Sequence, residues 1–141
     1  MLALRLVVDT NVVVSAALQE EGFPRIALLI AIARPARLYI SQPILDEYSE
    51  VLARPAIGVR RGDRLRLLQL IRTRGFLVAP YRRLDVTNDP DDNIFVECAD
   101  AARADYLITG NRKHFPQFWK GTKIITPREF IEVAAPHLLR G

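Results

Sequence analysis

A single cysteine, Cys98, in 141 residues excludes an intramolecular disulfide and a cysteine-built zinc cluster, and suits a reducing compartment. A lone cysteine of this kind most simply fills a core. Histidine is almost as scarce. His114 sits in a polar loop and His137 near the C-terminus, with no second histidine at ligand spacing, so neither supports a zinc site. Long apolar runs are missing too. Arg5 and Asp9 break the N-terminal stretch short of the about 7–15 apolar residues of a secretory segment. Leu28 to Ala33, bounded by Arg25 and Arg34, falls far below the roughly 20 residues that cross a bilayer. A soluble, cytoplasmic protein with no membrane role is expected.

What is present is an ordinary globular composition, 50% apolar and 26% charged, with no repeat or linker, so one domain over residues 1–141 is expected. A chain of this length buries about two thirds of its unfolded surface and needs no metal merely to fold. A bound metal would therefore serve function. The net charge of +4 is unevenly spread. Residues 54–83 carry nine arginines and one acid, Asp63, making that segment +8 and the remainder −4. A basic belt joined to an acidic remainder suits a protein that attracts a polyanion and holds cations elsewhere. A solvated helix face would have the same composition.

Strand-like and helix-like segments alternate, which predicts βαβ units around a parallel sheet. Strands are expected at Leu4–Val8, Arg37–Ile40, Phe76–Ala79, Tyr106–Ile108 and Lys123–Ile125. Helices are expected at Asn11–Leu18, Pro24–Ala33, Pro43–Ala53, Arg61–Arg74, Asp92–Arg103 and Pro127–Val133. Right-handed crossovers would turn these into a three-layer α/β/α sandwich with a central, mainly parallel five-stranded sheet. Ligands in such sheets bind outside the carboxyl ends of the strands, which directs attention to Asp9-Thr10-Asn11, to Thr109-Gly110-Asn111 and to the acidic run Asp89-Pro90-Asp91-Asp92-Asn93.

Asp9 ends a strand and precedes a helix, so it can cap that helix or face a ligand. Glu47 is decided more sharply by geometry. Ile44, Leu45, Tyr48, Val51 and Leu52 form one stripe, with Glu47 about 100° from its centre and Asp46 and Glu50 about 160° away. Glu47 is thus the acid at the edge of the buried face. Among Asp89, Asp91 and Asp92 periodicity does not choose; with Asp91 as cap, Asp92 would begin the helix. Together Asp9, Glu47 and Asp92 would present three hard oxygen ligands at one sheet edge, a set for Mg²⁺ or Mn²⁺ rather than zinc.

The pattern resembles the PIN domain, a metal-dependent ribonuclease fold that includes the VapC-type toxins of toxin–antitoxin pairs. The resemblance covers nearly the whole chain and rests on Val7-Val8-Asp9-Thr10-Asn11, Leu45-Asp46-Glu47, Asp89-Pro90-Asp91-Asp92-Asn93 with the helix through Ala99, and Leu107-Ile108-Thr109-Gly110-Asn111. It implies a Mg²⁺- or Mn²⁺-dependent endoribonuclease with Asp9, Glu47 and Asp92 as catalytic metal ligands, oriented by Thr10, Asn11 and Thr109. Many PIN domains carry a fourth acid where this chain has Asn111, which can ligate through its carbonyl or a water but brings no charge. The substrate implied is RNA, held along Arg60, Arg61, Arg64, Arg66, Arg72 and Arg74. The partners implied are a cognate antitoxin, which would block the acidic pocket with an arginine or a helix, and a second copy of the chain packed through Leu28 to Ile32.

Two rival readings use the same sheet edge. A PIN-like module could bind RNA or protein without cleaving it, as the neutral Asn111 allows. A phospho-aspartate switch or phosphatase could use an aspartate nucleophile. A dehalogenase-like phosphatase, however, wants a second aspartate where Asn11 stands, and a receiver-type switch wants a lysine after a late strand, where the chain offers only Lys113, Lys120 and Lys123.

Overall fold

The computed structural model describes residues 3–140. In chain order the elements are β1 Arg5–Val8, α1 Thr10–Leu18, α2 Phe23–Ala31, β2 Arg37–Ile40, α3 Gln42–Leu52, α4 Arg61–Arg74, β3 Phe76–Leu77, α5 Pro90–Ala102, β4 Tyr106–Ile108, β5 Phe118–Trp119, β6 Thr122–Ile125 and α6 Pro127–Ala134. Single 3₁₀ turns lie at Arg112–His114 and Pro136–Leu139. The sheet has the order β3-β2-β1-β4-β6-β5 and is parallel except for β5. This is the expected α/β/α sandwich with one strand more than expected. The sixth strand, two residues long, folds back on β6 through a turn where Lys120 takes φ of 50°. A two-residue strand has no alternation to read, which is why the sequence does not announce it.

The central strands are buried on both faces, as their unbroken apolar sequences require. Leu6, Val7, Val8, Leu38, Leu107, Ile108, Ile124 and Ile125 are all closed to solvent, with Phe95 and Phe130 packed from the helices. Cys98 belongs to this core; burial pushes its thiol up to about 12, so it stays protonated and inert. Leu28, Ala31 and Ile32 are core as well, and of that apolar stretch Leu29 is the residue half exposed to solvent. Gly75 joins α4 directly to β3. A Cβ there would stand 2.7 Å from the Ile71 carbonyl oxygen and 2.9 Å from the Ile40 side chain, so the turn requires glycine.

Register fixes where the site can form. Val8, Ile108 and Ile125 lie side by side at the ends of β1, β4 and β6. The pairing runs one residue further, because the Asp9 amide donates to the Ile108 carbonyl at 2.9 Å and the Thr109 amide to the Ile125 carbonyl at 2.9 Å. Asp9, Thr109 and Thr126 therefore stand in a row along the carboxyl edge.

Candidate active site

Asp9 is the deepest acid of that edge, with 5% of its surface exposed. It occupies the position before α1 yet makes no side-chain cap. Its Oδ2 instead accepts from the Thr109 hydroxyl at 2.8 Å. The same hydroxyl accepts from the Asn111 amide at 3.0 Å, so one threonine fixes both the carboxylate and the following loop. Asn11 holds that loop from the other side, its Oδ1 accepting from the Gly110 amide at 3.0 Å.

Glu47 arrives on α3, which the Ser41 hydroxyl caps by accepting from the Ile44 amide. Ile44, Leu45, Tyr48 and Leu52 bury one face of that helix, leaving Glu47 half-buried at its edge and Asp46 and Glu50 in solvent, as the helical wheel requires. The buried Tyr48 hydroxyl donates to the carbonyl of Val8, tying α3 to the end of β1 next to Asp9. The Thr10 hydroxyl donates to Glu47 Oε2 at 2.5 Å. Thr10 and Thr109 thus each orient one acid, whereas Asn11 acts on the loop backbone.

The third acid is placed by a device that sequence reasoning missed. Asp89, not Asp91, caps α5: it accepts from the Asp91 amide at 3.0 Å, with Pro90 in the first turn. Asp92 therefore lies within the first turn, half-buried, while Asp91 is exposed. Asn93, Glu97 and Asp100, at helical spacing on one face of α5, then strap down the preceding segment. Asn93 Oδ1 accepts from the amides of Val86 and Thr87 and from the Thr87 hydroxyl, Glu97 from the Leu84 amide, and Asp100 from the Arg82 guanidinium at 2.9 and 3.0 Å. Trp119 Nε1 and Lys120 Nζ also reach Asp100, at 3.1 and 3.3 Å. The i, i+4, i+7 spacing of three polar residues on an otherwise buried helix was the available signal.

Asp9, Glu47, Asp89, Asp91 and Asp92 line one open cleft of about 390 Å³, together with Thr10, Asn11, Asn111, the Arg54 guanidinium and the His114 imidazole. Crowding and burial make ionisation costly there. Burial, opposed by the Thr109 hydrogen bond and reinforced by Asp92, raises Asp9 to about 6. Glu47 is raised by burial against the Thr10 hydrogen bond, and Asp92 by burial and the neighbouring Asp89 charge. Among the described residues no three His, Cys, Asp or Glu side chains close on one point as a ready chelate. The donor set nevertheless fits Mg²⁺ or Mn²⁺, which take hard oxygens and, for Mg²⁺, keep several waters beside one or two carboxylates. A divalent charge would relieve the acid crowding that the protein's own cations leave in place.

None of Arg60, Arg61, Arg64, Arg66, Arg72 and Arg74 lines this cleft. Because α4 leads into β3, a strand parallel to β2, its C-terminal Arg72 and Arg74 lie at the opposite edge of the sheet, about 20 Å from its start. Arg60 and Arg66 instead border a separate groove of about 550 Å³ between α1, α2 and α4. The belt is several surfaces. The basic residues that do line the cleft, Arg54 and His114, lay outside the expected RNA-binding set.

A family model described as PIN domain matches residues 5–113, which include Asp9, Glu47, Asp92 and Asn111. The chain belongs to the PIN domain family. PIN domains are in general nucleases that use divalent metals. An uncharacterized protein of Methanocaldococcus jannaschii is 28% identical, covering 92% of this PIN chain and 90% of the relative. The crystal structure of VapBC2 from Rickettsia felis, bound to a DNA fragment from its promoter, superposes with a TM-score of 0.58 at 15% identity, covering 87% of this chain and 98% of that one. At that identity the likeness is one of fold.

Proposed function

We propose that this PIN domain is a Mg²⁺- or Mn²⁺-dependent endoribonuclease and the toxin component of a toxin–antitoxin pair. The observation that carries the reading is the convergence of Asp9, Glu47 and Asp92, from three separate elements, on one cleft where all three are penalised for being charged. When bound, the ion supplies Lewis acidity, lowering the pKa of a water and offsetting charge on phosphate oxygens. The protein supplies position. Thr109 and Thr10 hold the Asp9 and Glu47 carboxylates in one orientation, so ligand reorganisation is small. Asn111 adds a neutral oxygen at the rim. Arg54, paired at 3.0 Å with Glu50, and His114 line the cleft walls where a phosphate would sit, and a cleft carboxylate would accept the proton of the attacking water. RNA extending beyond the cleft meets the start of α4 at Arg60, Arg61 and Arg64, where backbone contacts position it without reading sequence.

The antitoxin was expected at the acidic pocket; a surface open to a partner lies apart from it, in the 550 Å³ groove where Leu18 and Leu29 are half exposed beside Leu67 and Leu70, within a rim of Arg25, Arg60, Arg66, Glu20 and Asp63. An amphipathic helix fits that chemistry. No helix among the described residues is long and apolar enough to cross a membrane.

The test is incubation of the purified protein with structured and single-stranded RNAs in Mg²⁺, Mn²⁺ or EDTA. Cleavage is expected with either metal, to vanish in EDTA and to fall at least 100-fold in Asp92→Asn. Cleavage that survives EDTA, or that is equal in Asp92→Asn, would contradict the reading. Binding without any cleavage would support the non-cleaving module.

A further inference from the structure

Beside the acidic cleft lies a second cavity of about 430 Å³, lined by Gly110, Asn111, Arg112, Lys113, His114 and Thr126. Asn111 and His114 are walls of both. Charge changes across that shared wall: five carboxylates line the first cavity, whereas none lines the second, which presents Lys113 beside an Arg112 held by Glu129 and the His114 imidazole of the shared wall. We propose that the turn Arg112–His114, through Lys113, forms a phosphate subsite for the nucleotide flanking the scissile bond.

The proposal rests on the ribonuclease reading and answers a difficulty within it. An acidic cleft repels the polyanion it is to cut, and cations that adjoin the cleft without filling it hold the strand while leaving the carboxylates to the metal. The neutrality of Asn111 serves this arrangement, since an acid at that wall would carry the negative field into the basic cavity.

The turn is built rigidly and from the site's own parts. Thr109 and Asn11, which bind its backbone at Asn111 and Gly110, belong to the acidic centre. The His114 amide closes the turn on the Asn111 carbonyl at 3.0 Å, and Phe115 is anchored in the core. Arg112 is fastened to both Glu129 carboxylate oxygens at 2.8 and 3.0 Å, so its charge is largely offset. The first turn of α6 is not the anion site, because Thr126 and Glu129 satisfy each other in a capping box. Lys113 is left as the exposed cation with no carboxylate at ion-pair distance among the described residues. A point charge on a flexible stem suits a phosphate rather than a base edge.

The experiment compares wild type, Lys113→Gln and Lys113→Glu on an eight-nucleotide RNA and on bis(p-nitrophenyl) phosphate, a diester too small to reach the second cavity. Lys123→Gln, an exposed lysine at the opposite edge of the sheet, controls for overall charge. Lys113→Gln is expected to raise KM for the RNA about fivefold with kcat within twofold, and Lys113→Glu more than tenfold. The ratio of kcat/KM between RNA and the small diester falls accordingly. In an Asp9→Asn background, fluorescence anisotropy with the same RNA is expected to show weaker binding for both Lys113 variants. The salt dependence for Lys113→Gln is expected to be shallower by about 0.7, one single-strand phosphate contact. Values equal to those of Lys123→Gln would overturn the subsite. If wild type hydrolyses neither substrate, the ribonuclease reading fails and the anisotropy still decides whether Lys113 holds the strand.

Discussion

Asp9→Asn is expected to melt at a higher temperature than wild type in EDTA at pH 7.5, by about 5–10 °C, while losing metal-dependent RNA cleavage. The sign follows from the raised pKa. Asp9 titrates near 6 in the fold against 3.8 when free, so between those values the folded chain binds more protons than the unfolded one. Its ionisation therefore opposes folding above about pH 6 by up to about 3 kcal/mol, and the penalty is relieved as pH falls towards 4. Asparagine removes the charge and keeps an oxygen for the Thr109 hydroxyl. The pH dependence supplies a second readout. Wild type in EDTA gains stability from pH 7.5 to 5, with Glu47 and Asp92 shifted in the same direction, and the variant gains less. Mg²⁺ at ten times its dissociation constant returns about 1.4 kcal/mol to wild type and at most about 0.4 kcal/mol to the variant, measured by calorimetry. A variant less stable than wild type in EDTA would mean that the Asp9 charge serves the fold.

Asp100→Ala is expected to be the most destabilising single polar change, costing about 2–3 kcal/mol and lowering the melting temperature by about 8–12 °C. The side chain is 3% exposed and joins Arg82, Trp119 and Lys120 at one point. The Arg82 guanidinium, helped by Trp119 and Lys120, holds its carboxyl well below the usual carboxylate range. Its contribution is therefore present above about pH 4 and lost below, opposite in sign to that of Asp9. The loss propagates to the site, because the segment carrying Asp89 is laid along α5 by Asp100, Glu97 and Asn93 in turn. Faster backbone hydrogen exchange at Leu84, Val86 and Thr87 checks this; unchanged exchange there would confine the effect of Asp100 to its own contacts with Arg82, Trp119 and Lys120.

The sequence was most legible where one face of an element decides a residue's place. The wheel of Ile44, Leu45, Tyr48 and Leu52 puts Glu47 at the cleft edge, and an unbroken apolar strand ending in Asp9 puts that acid at the carboxyl edge of a buried sheet. Local capping was less legible. Asp89, Asp91 and Asp92 are chemically equivalent as caps, and Pro90 in the first turn, which selects Asp89, reads from sequence equally well as a turn residue. For the strap of Asn93, Glu97 and Asp100 the helical spacing of the three polar residues was legible, but not what they hold, because the partners, backbone amides and Arg82, lie in a segment without periodicity. The arginine belt shows the converse failure: arginines close in sequence are divided among the groove (Arg60, Arg66), the cleft (Arg54), the far edge of the sheet (Arg72, Arg74) and the Asp100 carboxylate (Arg82).

The central claim is that Asp9, Glu47 and Asp92 act together as the seat of a divalent ion. Titration of Mn²⁺ into the protein, followed by electron paramagnetic resonance of the free ion, measures this without any substrate. Saturable binding is expected in wild type, displaced by excess Mg²⁺ and weakened at least tenfold in each of Asp9→Asn, Glu47→Gln and Asp92→Asn. Equal Mn²⁺ binding in wild type and all three variants would contradict the account.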